Sequence, residues 1–228
     1  MKTSQKVFIL FLLLGGLFIA GSLFDLRLVT LISNYLIIPV LILYYRYKSK
    51  KWFIAMVIAL LLFYVRDTLL LYGFPNYPNL IMISFGCALS IVYMFAIVGF
   101  QRSKIHFVEL ISVLIMYGFL GFLFFSIGEL VPQVMPSYKG PTYLYLFLLT
   151  FLLAITFTSY LLKSHYASLW LMLASASLLV SELSLFFKMY IVSDFSVNVF
   201  YPLFHVIAYY ALVEHAINRR RSQRIPFF

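Results

Sequence analysis

Apolar residues run through this chain in blocks of about 20, broken by short polar punctuation and without alternation inside the blocks. Eight such blocks stand out, at 7–23, 28–45, 53–73, 79–100, 107–128, 142–162, 168–190 and 198–217. A helix rising ~1.5 Å per residue needs ~20 residues to cross a ~30 Å hydrocarbon core, so each block predicts one spanning helix. Strands of an outer-membrane barrel are half as long and alternate apolar with polar, a pattern the blocks lack. The expected fold is all-α: one polytopic membrane bundle of about eight transmembrane helices over 1–218, then a short basic cytoplasmic tail at 219–228. No linker, low-complexity stretch or block of charge marks a second domain. Lys2 and Lys6 ahead of a run that reaches Ala20-Gly21-Ser22 give the first block some likeness to a signal peptide. A retained first helix is expected instead, because the second block follows at once and the charge pattern requires an even number of spans.

Composition removes the other classes. Of 228 residues, 64% are hydrophobic and 11% charged, and the mean hydropathy is +1.02. A soluble domain carries roughly 25% charged residues and could not hide this much apolar surface. An aromatic content of 20% excludes disorder, and ten glycines with a single cysteine exclude collagen-like and disulfide-framework chains. Charge then speaks to topology. Eight spans gather Lys2, Lys6, Arg46, Lys48, Lys50, Lys51, Arg102, Lys104, Lys163, Arg219, Arg220, Arg221 and Arg224 at one face, 13 of the 17 basic residues. The positive-inside rule makes that face cytoplasmic, with both termini inside. The net charge of +10 therefore reads as topology and attraction to anionic headgroups, and no nucleic-acid partner is expected.

A charge near the bilayer centre costs at least ~2.5–3.5 kcal/mol, so intramembrane ionisable residues are functional candidates by default. Of the seven acids, Asp25, Glu129 and Asp194 fall at outer helix ends or loops, and Glu109 and Glu214 near cytoplasmic ends. Asp67 and Glu182 remain, each 14 residues into spans that begin at 53 and 168. That depth is ~21 Å from the cytoplasmic boundary. Asn34 and His205 each stand 7 residues into spans entering from the other face at 27 and 198. That is ~10 Å, which meets the same level in a ~30 Å core. Four polar residues on four helices are thus expected in one layer of the outer half, with Tyr35, Tyr64 and Tyr209 within about a turn. Two readings stay open: an acid–base site, or a buried ion-pair network of Arg66, Asp67 and Glu182 that fixes helix register.

The available chemistry is narrow. Cys87 is alone, and His106, His165, His205 and His215 show no HExxH spacing, so neither a metal nor another cofactor is expected. His106 and His165 read as interfacial residues, and Glu214 with His215 as a solvated helix end. A serine-hydrolase elbow and glycine-rich phosphate loops are absent from the sequence. Two carboxyls in an apolar layer offer proton transfer, since burial lets one stay protonated while its partner is ionised. Such a pair serves either a reaction or a proton relay in a transporter.

At these residues the chain resembles a known family. Asn34-Tyr35-Leu36-Ile37-Ile38-Pro39 and Val65-Arg66-Asp67-Thr68-Leu69-Leu70-Leu71 look like the second and third helices of the YhhN family of lysoplasmalogenase-like membrane proteins. Those helices carry a Lys-Pro-x-x-x-Pro-like motif and a Gly-Asp pair. The run from Ala174 to Tyr190 with Ser181-Glu182 resembles the family's apolar helix ending in Ser-Asp. Tyr209-Tyr210-Ala211-Leu212 is similar to its Tyr-x-x-Ala-Gln helix. The likeness covers essentially the whole chain. The chain departs from the pattern at several places. Asn34 stands for the lysine, Tyr35 for the first proline, Arg66 for the glycine and Glu182 for the aspartate. Val213 stands for the glutamine, and Tyr93-Met94 occupy the place of a histidine in the fourth helix.

The resemblance implies hydrolysis of the vinyl ether bond of a lysoplasmalogen to a fatty aldehyde and a glycerophospho-alcohol. It implies a lysophospholipid or other single-chain lipid as the substrate and a bacterial inner membrane as the location. Asp67 is expected as the more reactive carboxyl and Glu182 as its partner, with Asn34, Arg66, His205 and Tyr209 binding substrate or supporting the pair. Proton-coupled transport by Arg66, Asp67 and Glu182, or lipid binding without turnover, are the competing expectations.

Overall fold

The computed structural model describes residues 3–73, 76–98, 106–163, 165–192 and 194–222, and among them no strand occurs. Eight helices follow the eight apolar blocks: α1 (Thr3–Leu23), α2 (Arg27–Ser49), α3 (Ile54–Leu71), α4 (Pro78–Val98), α5 (Phe107–Val134), α6 (Lys139–Lys163), α7 (Tyr166–Tyr190) and α8 (Phe195–Ser222). All are long and apolar enough to cross a membrane. The expected all-helical membrane bundle is therefore the fold observed. Of the residues used in the charge count, Lys2, Arg102, Lys104 and Arg224 lie outside the described residues, as does the tail beyond Ser222.

Boundaries shift by a few residues at several helix ends. α5 runs past Gly128 through Pro132 to Val134, and a single 3₁₀ turn at Pro136–Tyr138 passes the chain into α6 at Lys139. α8 continues through the arginines, good helix formers, to Ser222, so the first residues assigned to the tail prolong the last span. Between α1 and α2 the chain turns in a few residues. Asp25 takes a left-handed conformation there (φ 53°), which a short polar side chain tolerates.

Packing is tightest where side chains are small, as in other membrane bundles. Ala174, Ser177 and Ser181 of α7 and Ala208, Ala211 and Ala216 of α8 are all buried, and the Ser181 hydroxyl donates to the Tyr201 carbonyl (3.2 Å). Gly21 permits the closest approach of α1 to α2: a Cβ there would stand 2.7 Å from Thr30 Oγ1 and 2.9 Å from its backbone nitrogen. α1, α2, α3, α7 and α8 surround the centre, with α4 and α6 closing one side. α5 is the outlier. It packs chiefly on α6, and only Leu120, Gly128 and Val131 along its length are buried.

Ionic contacts mark the two ends. At the basic end, Lys48 and the Tyr44 hydroxyl both donate to Glu214, and Asn218 Nδ2 donates to the Glu214 carbonyl. Glu214 and His215 are buried there, which corrects the expectation of a solvated helix end. The reason is that α8 extends beyond them, leaving Glu214 about two turns inside the helix. At the opposite end Lys188 Nζ donates to the Ser22 hydroxyl (3.1 Å). His106 is exposed and forms a capping box with Glu109, in keeping with an interfacial residue.

Candidate functional site

The polar layer is assembled from the halves of the helices remote from the basic end. Asp67 lies in the last turns of α3, Glu182 about two turns before the end of α7, and His205 about three turns into α8. The structure joins these residues into one buried hydrogen-bonded cluster. Arg66 NH1 donates to Asp67 Oδ1 at 2.8 Å, and Arg66 NH2 donates to Glu182 Oε2. One guanidinium thus bridges both carboxylates, so the pair shares a single site. Asp67 Oδ2 accepts from the Tyr209 hydroxyl (2.7 Å) and lies 3.1 Å from His205 Nε2.

Helix geometry explains how two successive residues of α3 both serve. Arg66 and Asp67 point some 100° apart around the helix, toward α6 and α7 on one side and α8 on the other. Both are almost wholly shielded, at 2% and 3% exposure. Aromatic rings line the cluster. The Arg66 Cζ lies 5.1 Å from the Phe85 ring centre, a cation–π contact, and Tyr201 and Tyr209 rest against His205.

Tyr145 of α6 is a member that sequence reasoning missed. Its hydroxyl donates to Glu182 Oε2 and accepts from Arg66 NH2 at 3.2 Å, while its ring stacks on Phe85 with centres 4.5 Å apart. Asn34, by contrast, is buried in α2 but is not among the hydrogen-bonded members of the cluster. Tyr35 and Tyr64 meet each other edge to face at 5.8 Å, apart from the carboxyl pair.

The charges do not balance internally. Arg66 contributes one positive charge against two carboxylates, so a further proton or cation is needed to neutralise the group in a low-dielectric interior. Three polar atoms of the cluster are buried without a partner among the described residues: Arg66 Nε, Glu182 Oε1 and His205 Nδ1.

Two clefts reach it. One, of about 500 Å³, opens between α3, α4, α6 and α7 and is lined by Arg66, Leu70, Met82 and Met189 together with Thr142, Tyr145 and Glu182. The other, of about 330 Å³, lies between α5, α6 and α7, and Thr142, Tyr145 and Glu182 line it too, with Val131, Leu149 and Leu183. Glu182 therefore lines both clefts, whereas Asp67 lines neither. No group of three metal-ligating side chains occurs among the described residues.

Compared with known proteins, the chain matches no family model, no curated protein and no solved structure.

Proposed function

We propose that this protein is an intramembrane acid–base hydrolase that cleaves the vinyl ether bond of a single-chain ether lysophospholipid. The observation that carries the reading is the carboxyl pair, bridged by one guanidinium, with Glu182 lining two largely apolar clefts. An enol ether hydrolyses by protonation of its β-carbon to an oxocarbenium ion, followed by addition of water. A carboxyl pair in a water-poor site supplies the proton and then a negative charge to face the cation, as paired carboxyls do in glycosidases. The described helices contribute a half-open, apolar space that suits an alkyl chain. The family resemblance of the second, third, seventh and eighth helices supports the same reaction. In this reading the basic end, with Lys6, Arg46, Lys48, Lys50 and Lys51, faces the cytoplasm of a bacterial inner membrane and both termini are inside.

The test is aldehyde release from a lysoplasmenyl phospholipid by purified protein in detergent. Glu182→Gln is expected to abolish it. Asp67→Asn is expected to lower it by about 10²-fold or more, the usual contribution of a positioned acid or base. A second reading, lipid binding without turnover, is favoured by the engagement of Arg66 with both acids, which holds them as a clamp. Folded protein that binds the lysolipid and releases no aldehyde would select it.

A further inference from the structure

Glu182 and Asp67 share a guanidinium but differ in what else they meet. Asp67 has both oxygens occupied, Oδ1 by Arg66 and Oδ2 by Tyr209 and His205, and lines neither cleft described. Glu182 has only Oε2 occupied, by Arg66 and Tyr145, while Oε1 is buried without a partner. Two donors on one oxygen fix the carboxyl plane and leave the other oxygen as the free one. A buried oxygen in this state carries an unmet desolvation cost that a ligand's donor, or a proton, relieves.

The two clefts differ in what they can take. The cleft between α5, α6 and α7 is apolar apart from Thr142, Tyr145 and Glu182. That suits one alkyl chain. The cleft beside α4 extends toward the helix ends opposite the basic face, with Leu70, Met189 and Tyr190 along its walls. Its one cation, Arg66, is engaged by two carboxylates, so neither cleft offers a free positive charge to a phosphate. An anionic headgroup is thus kept at the outer rim while the chain and its first bonds lie inside.

We infer that Glu182, rather than Asp67, is the carboxyl that meets the lipid, since Glu182 lines both clefts and Asp67 lines neither. The alkyl chain occupies the space between α5, α6 and α7, and the polar end lies toward the outer rim. Asp67 is then a positioning residue, acting through Arg66. This deepens the hydrolase reading and rests on it for the chemistry. Protonated Glu182 transfers its proton to the β-carbon, the C=C pair forming the new C–H bond while the ether oxygen stabilises the cation. Water adds to the cationic carbon and returns a proton to the Glu182 carboxylate. In the resulting hemiacetal the bond to the alcohol oxygen breaks as that oxygen takes up a proton and the hydroxyl gives one up, leaving aldehyde and alcohol.

The placement is testable without turnover. Dicyclohexylcarbodiimide is an apolar reagent that adds across a carboxyl O–H with no leaving group, and peptide mass spectrometry locates the adduct. Applied to the full chain in detergent, it is expected to label Glu182 at least about tenfold faster than Asp67, a difference of one decade in rate. Thr142→Phe, which fills the start of both clefts, is expected to slow labelling of Glu182 about tenfold. Leu183→Phe, on the wall of the α5 cleft, serves if that variant does not fold. A single-chain ether lysolipid should protect Glu182, and a two-chain phospholipid at equal concentration should not. Labelling of Asp67 in preference, of both alike or of neither would overturn the inference, as would cleft-filling variants or a lysolipid that leave the rate unchanged. Absence of aldehyde release would sink the hydrolase reading alone, because the labelling pattern is read independently of it.

Discussion

Replacing Arg66 by Met isolates the electrostatic role of the cluster. Met keeps most of the length and apolar stem of arginine and removes its charge and donors. In the native protein that guanidinium is 2% exposed and holds Asp67 Oδ1 at 2.8 Å and Glu182 Oε2 by its other terminal nitrogen. Without it, two carboxyls face each other across one apolar pocket, supported only by Tyr145, Tyr209 and His205. Breaking a buried ion pair on one side typically costs ~3–5 kcal/mol, a large share of a total stability of ~5–15 kcal/mol. Neutralising the partners together removes the stranded charge. The triple variant Arg66→Met, Asp67→Asn, Glu182→Gln is therefore expected within about 2 kcal/mol of wild type, since a buried ionic group exchanged whole for neutral ones is often tolerated. Thermal and denaturant unfolding of the purified proteins in one detergent would compare the three. The reasoning is refuted if Arg66→Met unfolds with wild type, or if the triple variant is no more stable than the single one.

Other substitutions probe separate parts of the account. Tyr145→Phe keeps the stacking on Phe85 and deletes one hydroxyl donor to Glu182, so kcat should fall about tenfold or more while KM holds, with a loss of about 1.5–3 kcal/mol in stability. Gly21→Ala places a methyl group against the Thr30 backbone and should destabilise by about 1–3 kcal/mol, read by thermal unfolding. Tyr44→Phe removes a 2.8 Å donor to buried Glu214 and should cost about 1.5–3 kcal/mol in the same assay, with aldehyde release unchanged because that cluster lies at the far end of the bundle.

How much of this was legible beforehand depended on what each signal measures. Hydropathy reports burial in lipid, so the eight helices follow from it directly, and its weakness is confined to ends such as Lys139 and Ser222, where polar residues continue the helix beyond the apolar block. Counting residues gives depth, and depth alone brought Asp67, Glu182 and His205 to one level. It says nothing about direction around the helix, which is why Asn34 shares the level without joining the hydrogen bonds. Tyr145 was missed for two reasons. A tyrosine among 18 carries no contrast, and a sixth block that begins at 142 leaves Tyr145 too shallow for the layer. Starting α6 at Lys139, where the helix begins, moves it one turn deeper. Arg66 is visible as an intramembrane charge, yet its reach to Tyr145 of α6 and Glu182 of α7 depends on the arrangement of the helices.

The proposed reaction leaves an isotopic trace that no esterase or binding protein would leave. Protonation at the β-carbon places one solvent-derived hydrogen on the carbon beside the new carbonyl. Hydrolysis of a lysoplasmenyl phospholipid by the purified protein in heavy water, with prompt mass analysis of the product, reads it. The account predicts a fatty aldehyde carrying one deuterium at that carbon, absent when Glu182→Gln replaces wild type. A folded protein that yields no aldehyde, or an aldehyde without the label, would contradict it.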